Sequence, residues 1–259
     1  IYTLSLHDAL PILVISPPGP QEVADAVVQR VCAKGAGAGL AVLPWDEEAR
    51  SLRARLALLH EHLGEPWPDM SDAALAERAE EWLAPAVMSL VGQAGGSVED
   101  AASGAGSRRF SLERLDVTGA LRALLPWPQA GRLDELVPER LEVPSGSQVR
   151  VDYTSAGGGP TTASASMGAG RAGRPVLAVR VQECFGWAAT PRIVEGRVAV
   201  QLHLLSPARR PVAVTDDLAS FWEQGYPQVR AEMRGRYPKH AWPEDPWNAP
   251  ATRGTGRRR

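Results

Sequence analysis

The spacing of apolar residues changes near Leu141, and this change constrains the fold more than any other feature of the chain. Before it, leucine, valine and alanine recur every three or four residues, which places them on one face of an α-helix. After it, Val149, Val151 and Tyr153 alternate with polar residues, as in a half-buried β-strand. The sequence therefore predicts an α+β fold, with a helical N-terminal half followed by a small antiparallel β-rich domain, C-terminal helices and an irregular basic tail.

Capping residues mark the ends of the predicted helices. Asp46 is a suitable N-cap for a helix whose last apolar residue is followed by Gly64. Ser71 precedes another helix, and we expect Pro85 to end it because proline lacks the backbone donor. Helical spacing returns over residues 112–125.

The second half of the chain contains short segments rich in strand-forming residues. Strands are predicted at residues 148–153, 176–181, 191–194, 197–205 and 212–215. A Glu195-Gly196 turn predicts that the third and fourth of these form a hairpin. A helix is predicted to start at Asp216 or Asp217, and Pro227 is expected to end it and to open the next helix, on which Arg230 and Arg234 share a face.

Three stretches are predicted to lie outside the regular elements. Residues 1–12 lack the features of a signal peptide and resemble sequencing-adapter read-through, so we expect them to be a non-native segment. Residues 92–106 are rich in Gly, Ala and Ser and predict a flexible loop. Residues 155–173 have a similar composition, and their length predicts a disordered insertion.

The composition excludes several classes of protein. Hydrophobic residues make up 44% of the chain and charged residues 22%, as in ordinary globular proteins. No apolar run approaches the ~18 residues that span a bilayer, so we expect no membrane partner. The two cysteines, Cys32 and Cys184, form neither a disulfide framework nor a zinc pattern, and they predict a reducing cytoplasm.

Charge is distributed unevenly along the chain. Residues 226–259 contain eight Lys or Arg and three Asp or Glu, a net charge of +5, whereas the remainder carries −7. An acidic body with a basic tail indicates a polyanionic partner. For the last three arginines, 257–259, taken alone, a solvated terminus is the favoured explanation. Residues 234–247 combine these cations with three large aromatic residues and three prolines, which predicts a segment bound against its own domain or a partner.

No catalytic or metal-binding motif is present in the sequence. Neither lysine follows a glycine as a Walker A site requires. His60 and His62 would point about 200° apart on a helix, so they could not share a metal ion. His203 could serve as a base, but no Ser or Cys nucleophile lies in a recognisable setting. We therefore predict no catalytic residue and no metal site in this chain.

Several separate blocks of sequence carry a family resemblance. They are Leu43–Trp45 (LPW), Leu141–Ser147 (LEVPSGS), Val176–Glu183 (VLAVRVQE), His203–Pro207 (HLLSP), Asp217–Trp222 (DLASFW) and Arg234–His240 (RGRYPKH). In this order they closely resemble the C-terminal region of HrpB-type bacterial DEAH-box ATP-dependent RNA helicases.

The resemblance implies a truncated piece of a larger cytoplasmic bacterial enzyme. The two RecA-like motor domains, which would bind ATP and Mg²⁺ and partner this region, lie upstream in the family, so no cofactor is expected here. Residues 13–45 would then be a remnant of the preceding helicase-associated domain. Residues 46–140 would form a helical domain, 141–225 a small α+β domain, and 226–259 a basic aromatic helix and tail.

The predicted function is that of an accessory C-terminal domain that braces the motor and contacts single-stranded RNA or DNA. The expected phosphate contacts are Arg230, Arg234, Arg236, Lys239 and His240, and the expected stacking surfaces are Tyr237 and Trp242. Three alternatives stay open at this point. The tail folds back as a strap on its own domain, the region docks a protein partner without touching nucleic acid, or the chain is a stand-alone hydrolase that uses His203.

Overall fold

The computed structural model describes residues 19–33, 35–94, 111–155 and 174–254 of the chain. The predicted adapter-derived segment at 1–12 lies outside these residues, as do residues 156–173 of the predicted insertion. Most of the predicted loop at 92–106 also lies outside them, but residues 92–94 belong to a helix.

The first half of the described chain is helical, as predicted. Its α-helices are α1 (Pro20–Ala33), α2 (Ala36–Leu40), α3 (Glu47–Leu63), α4 (Asp72–Glu77), α5 (Ala79–Ala94), α6 (Val117–Arg122) and α7 (Leu133–Leu136). Short 3-10 turns at Leu112–Arg114 and Gln129–Arg132 precede the last two. Helix α1 packs along α5, and α3 packs against α6.

The predicted caps of α3 are confirmed. The Asp46 side chain accepts a hydrogen bond of 2.7 Å from the backbone N–H of Ala49, which satisfies a donor in the first turn. Gly64 ends the helix with a φ of 67°, a conformation that favours glycine. The helix buries Leu52, Leu56 and their neighbours on one face, so local caps and apolar spacing together define this element.

The prediction that Pro85 ends a helix was wrong. Helix α5 continues through it to Ala94. Trp82 and Val87 are buried on the two sides of the proline, and the Trp82 indole donates to the Leu75 carbonyl at 2.9 Å. Burial on both sides of the proline offsets the loss of one backbone hydrogen bond.

The second half contains a five-stranded sheet and a small hairpin. The strands are β1 (Arg140–Glu142), β2 (Gln148–Asp152), β3 (Val176–Arg180), β4 (Arg192–Ile193), β5 (Val198–Ala199), β6 (Gln201–Leu205) and β7 (Pro211–Thr215). The sheet order is β1-β2-β3-β6-β7, and β4 pairs with β5. The α+β class is confirmed, as is the hairpin at the Glu195-Gly196 turn.

The expectation of a purely antiparallel sheet needs correction. Strands β3 and β6 pair in parallel, from Val176 opposite Gln201 to Arg180 opposite Leu205, so the sheet is mixed. The chain between them forms a 3-10 turn at Val181–Glu183 and the β4–β5 hairpin. This crossover returns the chain to the start of β3, and parallel pairing requires such a connection.

Helices return after the sheet. Helix α8 (Leu218–Ser220) leads through a π-helical turn at Phe221–Gly225 into α9 (Tyr226–Arg236). Phe185, Phe221, Trp222 and Tyr226 form an aromatic cluster with ring centroids 5.2–6.5 Å apart. This cluster fixes the start of α9 against the 3-10 turn that follows β3.

Buried apolar side chains from Ala24 to Trp242 form one continuous hydrophobic cluster. Arg55 of α3, only 1% exposed, ties this helix to the segment before β1 by donating to the Val137 carbonyl at 2.7 Å and pairing with Asp134 and Glu139. The division of the chain at residues 45, 140 and 225 stays a prediction. Among the described residues, no helix combines the length and the apolar character needed to cross a membrane.

Candidate nucleic-acid interface

The residues that follow α9, 237–254, form a C-terminal strap across the second half of the molecule. The Tyr226 hydroxyl donates to the Pro243 carbonyl, and the Gly186 N–H donates to Pro246, both at 2.9 Å. Further along, the Thr252 N–H donates to the Gln182 carbonyl, also at 2.9 Å. The basic aromatic tail therefore packs on its own domain over most of its described length.

Trp242, which was predicted to stack on a base, lies inside this packing. It is 7% exposed, and its indole N–H donates to the Tyr237 carbonyl at 3.0 Å. A buried ring presents no face to a nucleic-acid base, so in this conformation Trp242 anchors the strap.

Arg230 also holds the strap. Its Nε donates to the Trp242 carbonyl and its terminal nitrogen pairs with Glu244, both at 2.9 Å. The Arg230 side chain is 25% exposed. A phosphate would have to displace these partners, so this arginine is less accessible to a ligand than the sequence suggested.

The remaining predicted cations surround the C-terminal end of α9. Arg234, Arg236 and Lys239 are exposed, and we refer to these three residues as the basic end. Within the described part of the chain, the side chains of Arg234 and Lys239 make no hydrogen bond or ion pair. Arg236 pairs with Glu232 at 3.1 Å, and such an exposed pair contributes little stability. The basic end therefore has cationic groups available to a phosphate.

Tyr237 and His240 lie beside the basic end as a pair of half-buried rings. Their planes meet edge to face, with centroids 6.1 Å apart. Burial, and then the positive charge of Arg180, lower the pKa of His240 below its usual value. This shift favours the neutral form of the His240 ring, which offers a phosphate a hydrogen bond without a positive charge.

Sequence reasoning missed Arg209 and Arg210. Both are exposed in the turn between β6 and β7, and Arg209 has a φ of 60°. Adjacent arginines in a turn were a signal in the sequence, but they lie outside the segment of net positive charge. Only the fold brings the start of β7 next to α9.

The structure gives no support to the hydrolase alternative. His203 is half-buried on β6, and Gln201 Oε1 at 3.4 Å is the only polar partner that its ring has among the described residues. His60 Nδ1 lies 2.8 Å from the Trp67 carbonyl, which is a structural contact. The described ranges contain no group of three or more His, Cys, Asp or Glu side chains arranged to hold a metal ion.

Comparison with known proteins supports the resemblance in the sequence. Residues 101–246 match the ATP-dependent helicase C-terminal family, HrpB_C. The chain is 38% identical over 242 residues to the ATP-dependent RNA helicase HrpB of Escherichia coli (strain K12). The aligned region covers 93% of this chain and 26% of that protein.

Two solved structures resemble this fold. The crystal structure of the E. coli DExH-box NTPase HrpB aligns with a TM-score of 0.71 and 37% identity, over 92% of this chain and 25% of that chain. The crystal structure of the E. coli DEAH/RHA helicase HrpB aligns with a TM-score of 0.61 and 35% identity, over 88% of this chain and 24% of that chain. The chain thus spans about a quarter of the length of these relatives. It belongs to the HrpB_C family of ATP-dependent helicase C-terminal regions.

Proposed function

We propose that this chain is the accessory C-terminal region of an ATP-dependent RNA helicase, and that it contacts single-stranded nucleic acid while bracing the motor. The observation that carries the proposal is the basic end of α9, where exposed cations lie on a protein whose remainder is acidic. Single-stranded nucleic acid presents a phosphate at every nucleotide and accepts such contacts without regard to sequence.

The position of the basic end has a second physical explanation. Cations in the last turn of a helix also interact favourably with the negative end of the helix dipole. That effect explains Arg234 and Arg236, which lie in the last turn of α9. It does not explain Lys239, which lies beyond the helix, nor the exposure of Arg209 and Arg210.

Salt dependence provides the test. Each phosphate contact to a single strand contributes about 0.7 to the slope of log affinity against log salt concentration. The double variant Arg234→Gln, Lys239→Gln is therefore expected to bind a fluorescently labelled single-stranded RNA more weakly and to reduce the slope by roughly 1.4. Fluorescence anisotropy with the whole chain, repeated from low to physiological salt, measures both quantities.

A matched control removes the same charge elsewhere. Arg122 and Arg132 are 55% and 54% exposed, and each pairs with a surface glutamate. The variant Arg122→Gln, Arg132→Gln should keep the slope of the unmodified chain. Equal slopes for all three proteins, or no RNA binding by the folded chain, would overturn the nucleic-acid part of the proposal.

A second candidate function is docking of the motor domains without nucleic-acid contact. Trp127 favours it, because this indole is 93% exposed between two prolines. A hydrogen bond of 2.9 Å from the Gln129 N–H to the Pro126 carbonyl closes the turn beneath it. Exposed tryptophans of this kind anchor protein interfaces. A salt-tolerant complex with the RecA-like motor domains, together with no RNA binding, would favour this candidate.

A further inference from the structure

A groove of about 360 Å³ lies between strand β7 and helix α9. The buried residues of its lining are Ser206, Phe221 and Met233, and Val212 and Val229 are half-buried on its two sides. This volume is at the small end of the range for ligand sites and matches one small planar group. No motif in the sequence indicates the groove, because its sides come from separate elements.

Cations stand on both sides of the groove. Arg210 lies on the β7 side and Arg236 on the α9 side, where Arg236 is also part of the basic end. Among the described residues, Arg236 is 64% exposed and pairs with Glu232, an exposed carboxylate that also lines the groove, whereas the Arg210 side chain has no polar partner. An apolar surface between two guanidinium groups suits a ligand with a flat apolar face and anionic groups on either side.

An added peptide strand fits this edge less well. Strand β7 is the last strand of the sheet, so among the described residues no further strand pairs with its outer edge. However, it begins with Pro211, which has no N–H to donate, and its pairing with β6 shifts register between Leu204 and Leu205. Proline and register irregularities are features that protect sheet edges from strand addition. The charge at the groove also favours an anionic partner over an ordinary peptide.

We infer that this groove receives one unpaired base of a single-stranded nucleic acid, with the neighbouring phosphates held by Arg210 and Arg236. The inference rests on the proposed function and specifies where the strand runs after it leaves the basic end. Tyr237 borders the groove next to Arg236 and offers a ring to the adjacent base. The apolar sides contact the face of any base, so the site selects unpaired strands and not a sequence.

The test fills the groove without changing its charge. Val229→Trp places an indole where the base would lie, and it should weaken binding of a labelled single-stranded RNA roughly tenfold, the effect of losing one stacked base. The same variant should bind an otherwise identical oligonucleotide with abasic sugars as tightly as the unmodified chain does. Ala213→Met is a smaller filling variant on the opposite side, in case the tryptophan disturbs folding, which circular dichroism would reveal.

Charge variants separate this inference from the proposed function. Arg210→Gln should weaken binding to both oligonucleotides, and Arg122→Gln should weaken neither. If the basic-end variants weaken binding but Val229→Trp, Ala213→Met and Arg210→Gln do not, the groove inference is overturned and the proposed function stands. If none of these variants alters RNA binding, both are overturned.

Discussion

Tryptophan residues occupy opposite environments in this chain, and their stability effects should differ accordingly. Trp82 is 1% exposed and hydrogen-bonded, whereas Trp127 is 93% exposed. Trp82→Ala should lower the free energy of unfolding by about 3–5 kcal/mol, because it leaves a cavity in the core. Trp127→Ala should change it by less than about 0.5 kcal/mol. Urea unfolding followed by circular dichroism measures both, and comparable losses would show that Trp127 is buried in solution.

Apart from Arg209 and Arg210, the cations of the candidate site were identified from the sequence, but their accessibility was not. Arg230 and Arg234 share a helix face by spacing, yet Arg230 bonds to the Trp242 carbonyl while Arg234 stays exposed. Likewise, Tyr237 and Trp242 are both aromatic residues beside prolines, and only Trp242 is buried in the core. Composition and spacing report which groups are present. The path of the strap decides which of them face solvent.

At the scale of single elements, the features that were predicted correctly depend on neighbours within a few residues. The Asp46 and Gly64 caps and the Glu195-Gly196 turn are of this kind, since capping and turn formation are local. The continuation of α5 through Pro85 and the parallel pairing of β3 with β6 depend on packing between distant segments. The spacing of residues in a single sequence does not show which distant segments lie side by side in the fold, so it does not specify such pairings.

The π-helical turn before α9 requires glycine at one position. A Cβ atom on Gly225 would lie 2.7 Å from the Phe221 ring, whereas one on Gly235 of α9 would have no atom within 4 Å. Gly225→Ala should therefore destabilise the fold by about 1–3 kcal/mol through overpacking. Gly235→Ala should be neutral or stabilising by up to roughly 1 kcal/mol, since alanine is the better helix former. Thermal unfolding distinguishes them, and equal shifts would contradict the predicted clash.

At the scale of the whole molecule, the strap and the first half are parts of the same buried core. Arg55 joins α3 to the segment before β1, and Arg197 donates to the His62 carbonyl from the β4–β5 hairpin. At the other end, Arg253 Nε donates to the Ser145 carbonyl at 2.9 Å, across 108 positions of sequence. The backbone of the basic tail is therefore tied to the fold at several separate points.

Deleting the tail should therefore unfold the protein as well as remove the candidate site. A chain ending at Gly225 lacks Tyr226, Met233 and Trp242, which are 1%, 4% and 7% exposed. Losing one such side chain costs roughly 2–5 kcal/mol, and three losses approach the whole stability of about 5–15 kcal/mol that a typical domain has. We expect that chain to lose its cooperative thermal transition and to aggregate on size-exclusion chromatography. A chain ending at Gly254 keeps every described contact and should unfold as the full chain does.

A cooperative transition in the shorter chain would show that the strap is dispensable for folding. In that case, a loss of RNA binding on truncation could be assigned to the basic end itself. If the shorter chain unfolds, only the point variants can make that assignment.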